Sequence, residues 1–164
     1  MLQASPSGQF LGSERVMRLR DNPARLAIET YPQRIQIRAS FGDIDSFQHV
    51  NNVAIAGFFE EGRATMNIGL FGADAIVHPS DGVQLLFVSV SIEYLAQTEY
   101  PGEVTVATGL SNVGRSSFVQ SGALFQNGRC VALCDAVSVY AEDGKANPLP
   151  ESVRARMEPL RLNL

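Results

Sequence analysis

The sequence predicts an α+β domain in which one long helix covers a face of an antiparallel sheet. Three observations carry that expectation. From Asn51 to about Phe71 the apolar residues Ile55, Phe58, Phe59, Met66 and Leu70 recur at helical spacing. After Asp81 the chain instead alternates with period two in four successive runs. The links between those runs, at YPGE, NVGR and QNGR, are turn-like and short, which calls for antiparallel neighbours.

In chain order, residues 1 to about 27 are rich in Ser, Gly, Gln and Arg without a periodic apolar face. We expect a flexible or loosely docked extension there, dispensable for folding, with a single domain over 28–164. The alternation of Arg34, Ile35, Gln36, Ile37 and Arg38 marks a half-buried strand. A polar loop, FGDIDSFQHVNN, leads into the helix, and Asn51 or Asn52 suits its N-cap because a short amide can accept from the first-turn N–H groups. Gly62 in mid-helix costs about 1 kcal/mol against Ala, so it implies close approach to a neighbouring backbone. The later strands are expected over Val88–Tyr94, Glu103–Asn112, Ser116–Gln126 and Arg129–Ala141, with Asn127-Gly128 as a two-residue hairpin turn. The tail LPESVRARMEPL can form a short helix started by Pro150.

Composition narrows the class of partner. The 164 residues suffice for one real core, and 45% hydrophobic against 18% charged residues is the balance of a globular protein. The net charge is −4, and Lys145 is the only lysine, so no basic stripe suited to nucleic acid exists. An anionic ligand would have to be met by a few local arginines. Cys130 and Cys134 lie four apart on an expected strand, about 13 Å along it, beyond the roughly 7 Å Cα limit of a disulfide. Free thiols in a reduced, cytoplasmic protein follow, with no metal site, since no second Cys or His pair stands nearby. The opening residues contain no apolar run of signal-peptide or membrane-span length, so no membrane association is expected.

The loop before the helix concentrates the chemistry. Asp43 and Asp45 are one residue apart, so in an extended segment they point the same way. One can face a site while the other holds the loop. A carboxylate beside the free N–H groups of a helix start supplies what acyl transfer needs, a nucleophile or base together with oxyanion donors. The same spacing also suits plain Asx-turn and capping roles, and His49 can equally be a structural histidine.

FGDIDSFQHVNN followed by FFEEGR resembles the DxDxxGHVNNxxYxxxFEEAR signature of the 4-hydroxybenzoyl-CoA thioesterase family of hotdog-fold proteins. VSIEYLAQTEYPGEV and VGRSS resemble that family's later strands, so the likeness runs from about Tyr31 to Leu149. It implies a hotdog fold, one long helix wrapped by a curved antiparallel sheet of five to six strands, paired into homodimers or homotetramers. It also implies hydrolysis of an acyl thioester, carried by CoA or by an acyl carrier protein, with no cofactor beyond the CoA of the substrate. By motif position the catalytic aspartate is Asp45, as nucleophile or general base. Backbone N–H groups near His49 and Val50 would be the oxyanion donors, with Asn51 and Asn52 nearby. Arg115, Ser116 and Ser117 stand where a turn enters a strand and could hold a CoA phosphate. Glu60 and Glu61 are the alternative catalytic carboxylates, although an ion pair with Arg63 is another use for them.

Two positions depart from the signature. The glycine before the histidine is Gln48, whose amide could donate in its place, and the tyrosine after NNxx is Ile55. Two other functions compete: a hotdog hydratase or dehydratase using Asp45 and His49, and a non-catalytic acyl-thioester binding module.

Overall fold

The computed structural model describes residues 18–73 and 83–164. The elements are β1 (Gln33–Arg38), α1 (Asn52–Phe71), β2 (Val83–Tyr94), β3 (Glu103–Val113), β4 (Ser117–Gln126), β5 (Arg129–Glu142), β6 (Lys145–Ala146) and α2 (Glu151–Met157). They build one antiparallel sheet in the order β1-β3-β4-β5-β2, with β6 paired to the end of β5.

The helix lies where its apolar stripe requires. Ile55, Phe58 and Phe59 pack on Val104, Val106, Leu124 and Val131, while Met66 and Leu70 pack on Leu110, Phe118 and Tyr140. Burial of each such side chain stabilises the fold by about 1.5–3 kcal/mol. Gly62 is the point of closest approach: a Cβ there would lie 2.8 Å from Val106 Cγ1 and 3.0 Å from Thr108 Cγ2. The absent side chain lets α1 sit down on β3.

The QNGR hairpin forms as the sequence indicates, with Asn127 at φ 52° and Gly128 at φ 74°. The YPGE link does not join neighbours. β2 pairs with β5 at one edge, whereas β3 lies beside β1, so the connection Leu95–Gly102 crosses the end of the sheet. Turn-like residues there bend a crossover rather than close a hairpin. That crossover passes beneath the start of α1, where Val50 N–H donates to Thr98 O at 3.0 Å.

The face of the sheet opposite α1 is covered by the chain's own ends. Residues 18–30 form three short 3-10 turns, Leu19–Asp21, Pro23–Leu26 and Ile28–Thr30. Leu19, Ile28 and Tyr31 join Leu162 of the tail against Ala107, Ala123, Phe125 and Leu133. Arg25 is 4% exposed and ion-paired to Asp135 at 2.8 Å. The expected loose extension therefore does not reach residue 27, because residues 18–27 pack on the sheet; its first 17 residues lie outside the described residues.

Candidate active site

The two aspartates of the loop divide their work. Asp43 Oδ2 accepts from Ser40 N–H at 2.7 Å and Ser40 Oγ at 2.8 Å, closing a capping box around the 3-10 turn Phe41–Asp43. Asp43 holds the loop. Asp45 Oδ1 accepts from Phe47 N–H at 2.8 Å and from His49 N–H at 3.3 Å, an Asx-turn arrangement. Its second oxygen has no partner among the described residues, and the residue lines an open cleft.

The chain turns sharply between these two groups and the helix. Asp45 N–H donates to His49 O at 2.9 Å, and Gln48 sits at φ 64° in the left-handed region. This is the position where the signature has glycine, so the tight turn survives with a side chain that strains it by about 1–2 kcal/mol. Gln48→Gly should raise stability by about 0.5–1 kcal/mol once the entropy of glycine is allowed for, read as a higher urea midpoint.

Asn51 is the N-cap, accepting from Ala54 N–H at 2.8 Å. Its own N–H donates to Asp43 O at 2.8 Å. The Val50 N–H cannot serve as an oxyanion donor as expected, since the crossover strand takes it up through Thr98 O. The N–H groups of Asn52 and Val53, in the first turn of α1, have no acceptor among the described residues. They are the open donors of this helix start.

Asp45, His49, Val50, Asn52 and Ile55 line one cleft of about 490 Å³, closed on the far side by Tyr94 and the crossover residues Leu95–Thr98. That volume is of the size that takes a small-molecule group. Ile55, in place of the tyrosine of the signature, is 2% exposed and gives the cleft an apolar floor. Tyr94 was not among the residues the sequence singled out. Only the β2 register, which sets it opposite Ala132 at the helix start, reveals it.

The remaining candidates lie elsewhere. Glu60 and Glu61 are exposed on α1 and line none of this cleft. The expected ion pair with Arg63 is not formed among the described residues; the guanidinium stacks over Phe87, 4.9 Å from the ring centroid, and its Nη1 is buried without an acceptor. Helical spacing turns Arg63 toward the sheet, away from its acidic neighbours. Arg115, Ser116 and Ser117 form the β3–β4 turn at the opposite end of β3, whose eleven residues span roughly 35 Å. One chain alone does not bring them to Asp45. Cys130 and Cys134 are free, and burial pushes both thiols up to about 11, so they stay protonated at neutral pH. Among the described residues no three His, Cys, Asp or Glu groups gather within reach of one metal ion, and no helix is long and apolar enough to cross a membrane.

The family model of the thioesterase-like superfamily matches residues 39–157, most of the chain and all of the cleft. The chain belongs to that superfamily. Solved structures agree on the hotdog fold. The PA5185 protein from Pseudomonas aeruginosa strain PAO1 is 28% identical, with a TM-score of 0.74 over 84% of this chain and 96% of that one. A thioesterase from Thermus thermophilus, complexed with coenzyme A and Zn, is 27% identical, with a TM-score of 0.71 over 80% of this chain and 96% of that one. A gentisyl-coenzyme A thioesterase is 20% identical, with a TM-score of 0.68 over 76% of this chain and 99% of that one, a likeness of fold. No curated protein matches. As a member of the thioesterase-like superfamily the chain is a thioester hydrolase by family, with the helix and curled sheet of the hotdog fold.

Proposed function

We propose that this chain hydrolyses an acyl-CoA thioester to the free acid and CoA, with Asp45 as nucleophile or general base. One observation carries the reading: Asp45, with an oxygen left unpartnered among the described residues, and Asn52, with an open N–H at the helix start, line the same cleft. A thioester carbonyl placed at the helix start would have its oxygen on the open donors there, which stabilise the charge that develops as the C–O bond forms. By one route the carboxylate attacks the carbonyl carbon, breaking the C–S bond to release CoA and leaving an anhydride that water then hydrolyses to the free acid. By the other it takes a proton from a water that attacks the carbonyl directly, with the C–S bond breaking to release CoA and the acid together. Ile55 gives the acyl group an apolar surface. His49 and Gln48 complete the loop around it, and the two protonated thiols suit a reducing, cytoplasmic setting.

The active unit in this reading is a homodimer. β2 is an edge strand with Leu86, Phe87, Val88 and Val90 between 41% and 60% exposed, an apolar edge that pairing would cover. A two-fold axis on β2 reverses the second copy. The Val83 end of its strand, and with it the turn holding the partner subunit's Arg115, then lies beside Tyr94 of the first chain. Arg115, Ser116 and Ser117 thereby become candidates for the CoA phosphates of the neighbouring cleft. Sedimentation should show a dimer or larger at micromolar concentration, and Val90→Arg should shift it to monomer. The activity itself is tested with a panel of acyl-CoA and acyl carrier protein thioesters and thiol-release detection. Turnover of at least one acyl-CoA is expected, and binding without turnover would leave the chain a thioester-binding module.

A further inference from the structure

The cleft has a hydroxyl donor that neither the signature nor the loop accounts for. Tyr94 ends β2, and its phenol stands 3.5 Å from Asn52 O in the first turn of α1. That distance is at the outer limit of a hydrogen bond, so the O–H is poorly satisfied where it is. Asn52 also carries one of the two open N–H groups. Within the helix that N–H points away from Asn52 O, but Tyr94 and Asn52 line the same cleft, so a turn of the phenol brings it to a carbonyl oxygen received there. Burial raises its pKa, which keeps the proton on the oxygen at neutral pH.

Tyr94 is also held from behind. Adjacent residues of a strand face opposite sides, so Glu93 points to the other face of the sheet, under the N-terminal 3-10 turns. There Leu19 N–H donates to Glu93 Oε1 at 2.6 Å, Arg20 Nε to Glu93 Oε2 at 2.7 Å, and Arg20 Nη2 to the Tyr94 carbonyl at 3.3 Å. The segment ahead of the domain grips the strand end that carries the phenol.

We propose that Tyr94 donates a third hydrogen bond to the substrate carbonyl, leaving Asn52 O to do so, and that Arg20 is a positioning residue acting through Glu93 and the Tyr94 backbone. This rests on the thioesterase reading above. It gives the N-terminal segment a role in the chemistry.

The test uses two non-hydrolysable CoA ligands of equal chain length, so that it does not depend on turnover. In one a methylene replaces the sulfur and the carbonyl is kept as a ketone; the other is an alkyl thioether without a carbonyl. Calorimetry on the full chain measures the ratio of their affinities, with the melting temperature recorded for each variant. The wild type should prefer the ketone, and Tyr94→Phe should reduce that preference about tenfold at an unchanged melting temperature. Arg20→Ala should reduce it in the same direction and Arg20→Lys should restore part of it, which a general loss of stability would not do. A Tyr94→Phe protein with the wild-type preference overturns the role of the phenol while leaving the thioesterase reading intact. A wild type that binds neither ligand overturns both.

Discussion

Arg25→Ala should lower the stability of the fold by about 3–5 kcal/mol, the range for removing one partner of a buried ion pair. The guanidinium lies between the N-terminal turns and the sheet. Its Nε donates to Tyr31 Oη at 3.1 Å, and Nη2 donates to Cys134 O at 3.1 Å and to Asp135 Oδ1 at 2.8 Å. Burial works against the charge, yet Asp135 and Tyr31 outweigh it and hold the Arg25 pKa above its ordinary value. Removing the side chain leaves Tyr31 and a buried carbonyl without their donor. Among the described residues it also leaves Asp135 with the Ser121 hydroxyl at 2.6 Å as its one remaining side-chain partner. The Asp135 side chain keeps 26% of its exposure, so water recovers part of the loss and the lower half of the range is expected. Arg25→Lys keeps the charge without the planar fork and should recover only part of it. Urea unfolding measures both. Deleting residues 1–27 should cost at least as much as Arg25→Ala, because the deletion removes the same pair together with Leu19 and its packing.

That effect could not be read from the sequence. Arg25 and Asp135 are 110 residues apart, and 3-10 turns leave no period in the apolar pattern, so residues 18–27 look like a tail. Local features were legible because local chemistry decides them. Asn51 caps α1, Asn127-Gly128 closes a hairpin, and Gly62 marks a close contact. The pairing of β2 with β5 was not legible, since YPGE has the residues of a turn whether it joins neighbours or crosses a sheet. The same crossover explains why Val50 does not offer its N–H: the acceptor, Thr98 O, arrives from a segment that the loop sequence does not mention. Tyr94 enters the cleft for the same reason. The signature located the loop and its carboxylates, and the sheet order supplied the wall that faces them.

Asp45→Asn should lower thioesterase kcat by about 10²–10⁴-fold, the range for a positioned general base. The substitution removes the charge that attacks or takes a proton. It keeps an oxygen able to accept from Phe47 N–H and His49 N–H, so the Asx turn should persist and stability should change by less than about 0.5 kcal/mol. Asp43→Asn is the contrast. Its carboxylate binds Ser40 and faces no open donor of the helix, so its effect should fall on stability with the rate little changed.

The most direct test of the account is therefore kcat/KM for the best acyl-CoA substrate, measured on wild type, Asp45→Asn and Asp43→Asn at matched melting temperature. A loss of about 10²-fold or more confined to Asp45→Asn is the expected result. An Asp45→Asn protein that hydrolyses acyl-CoA at the wild-type rate would contradict the account and move the search for the catalytic carboxylate to Glu60 and Glu61 on α1.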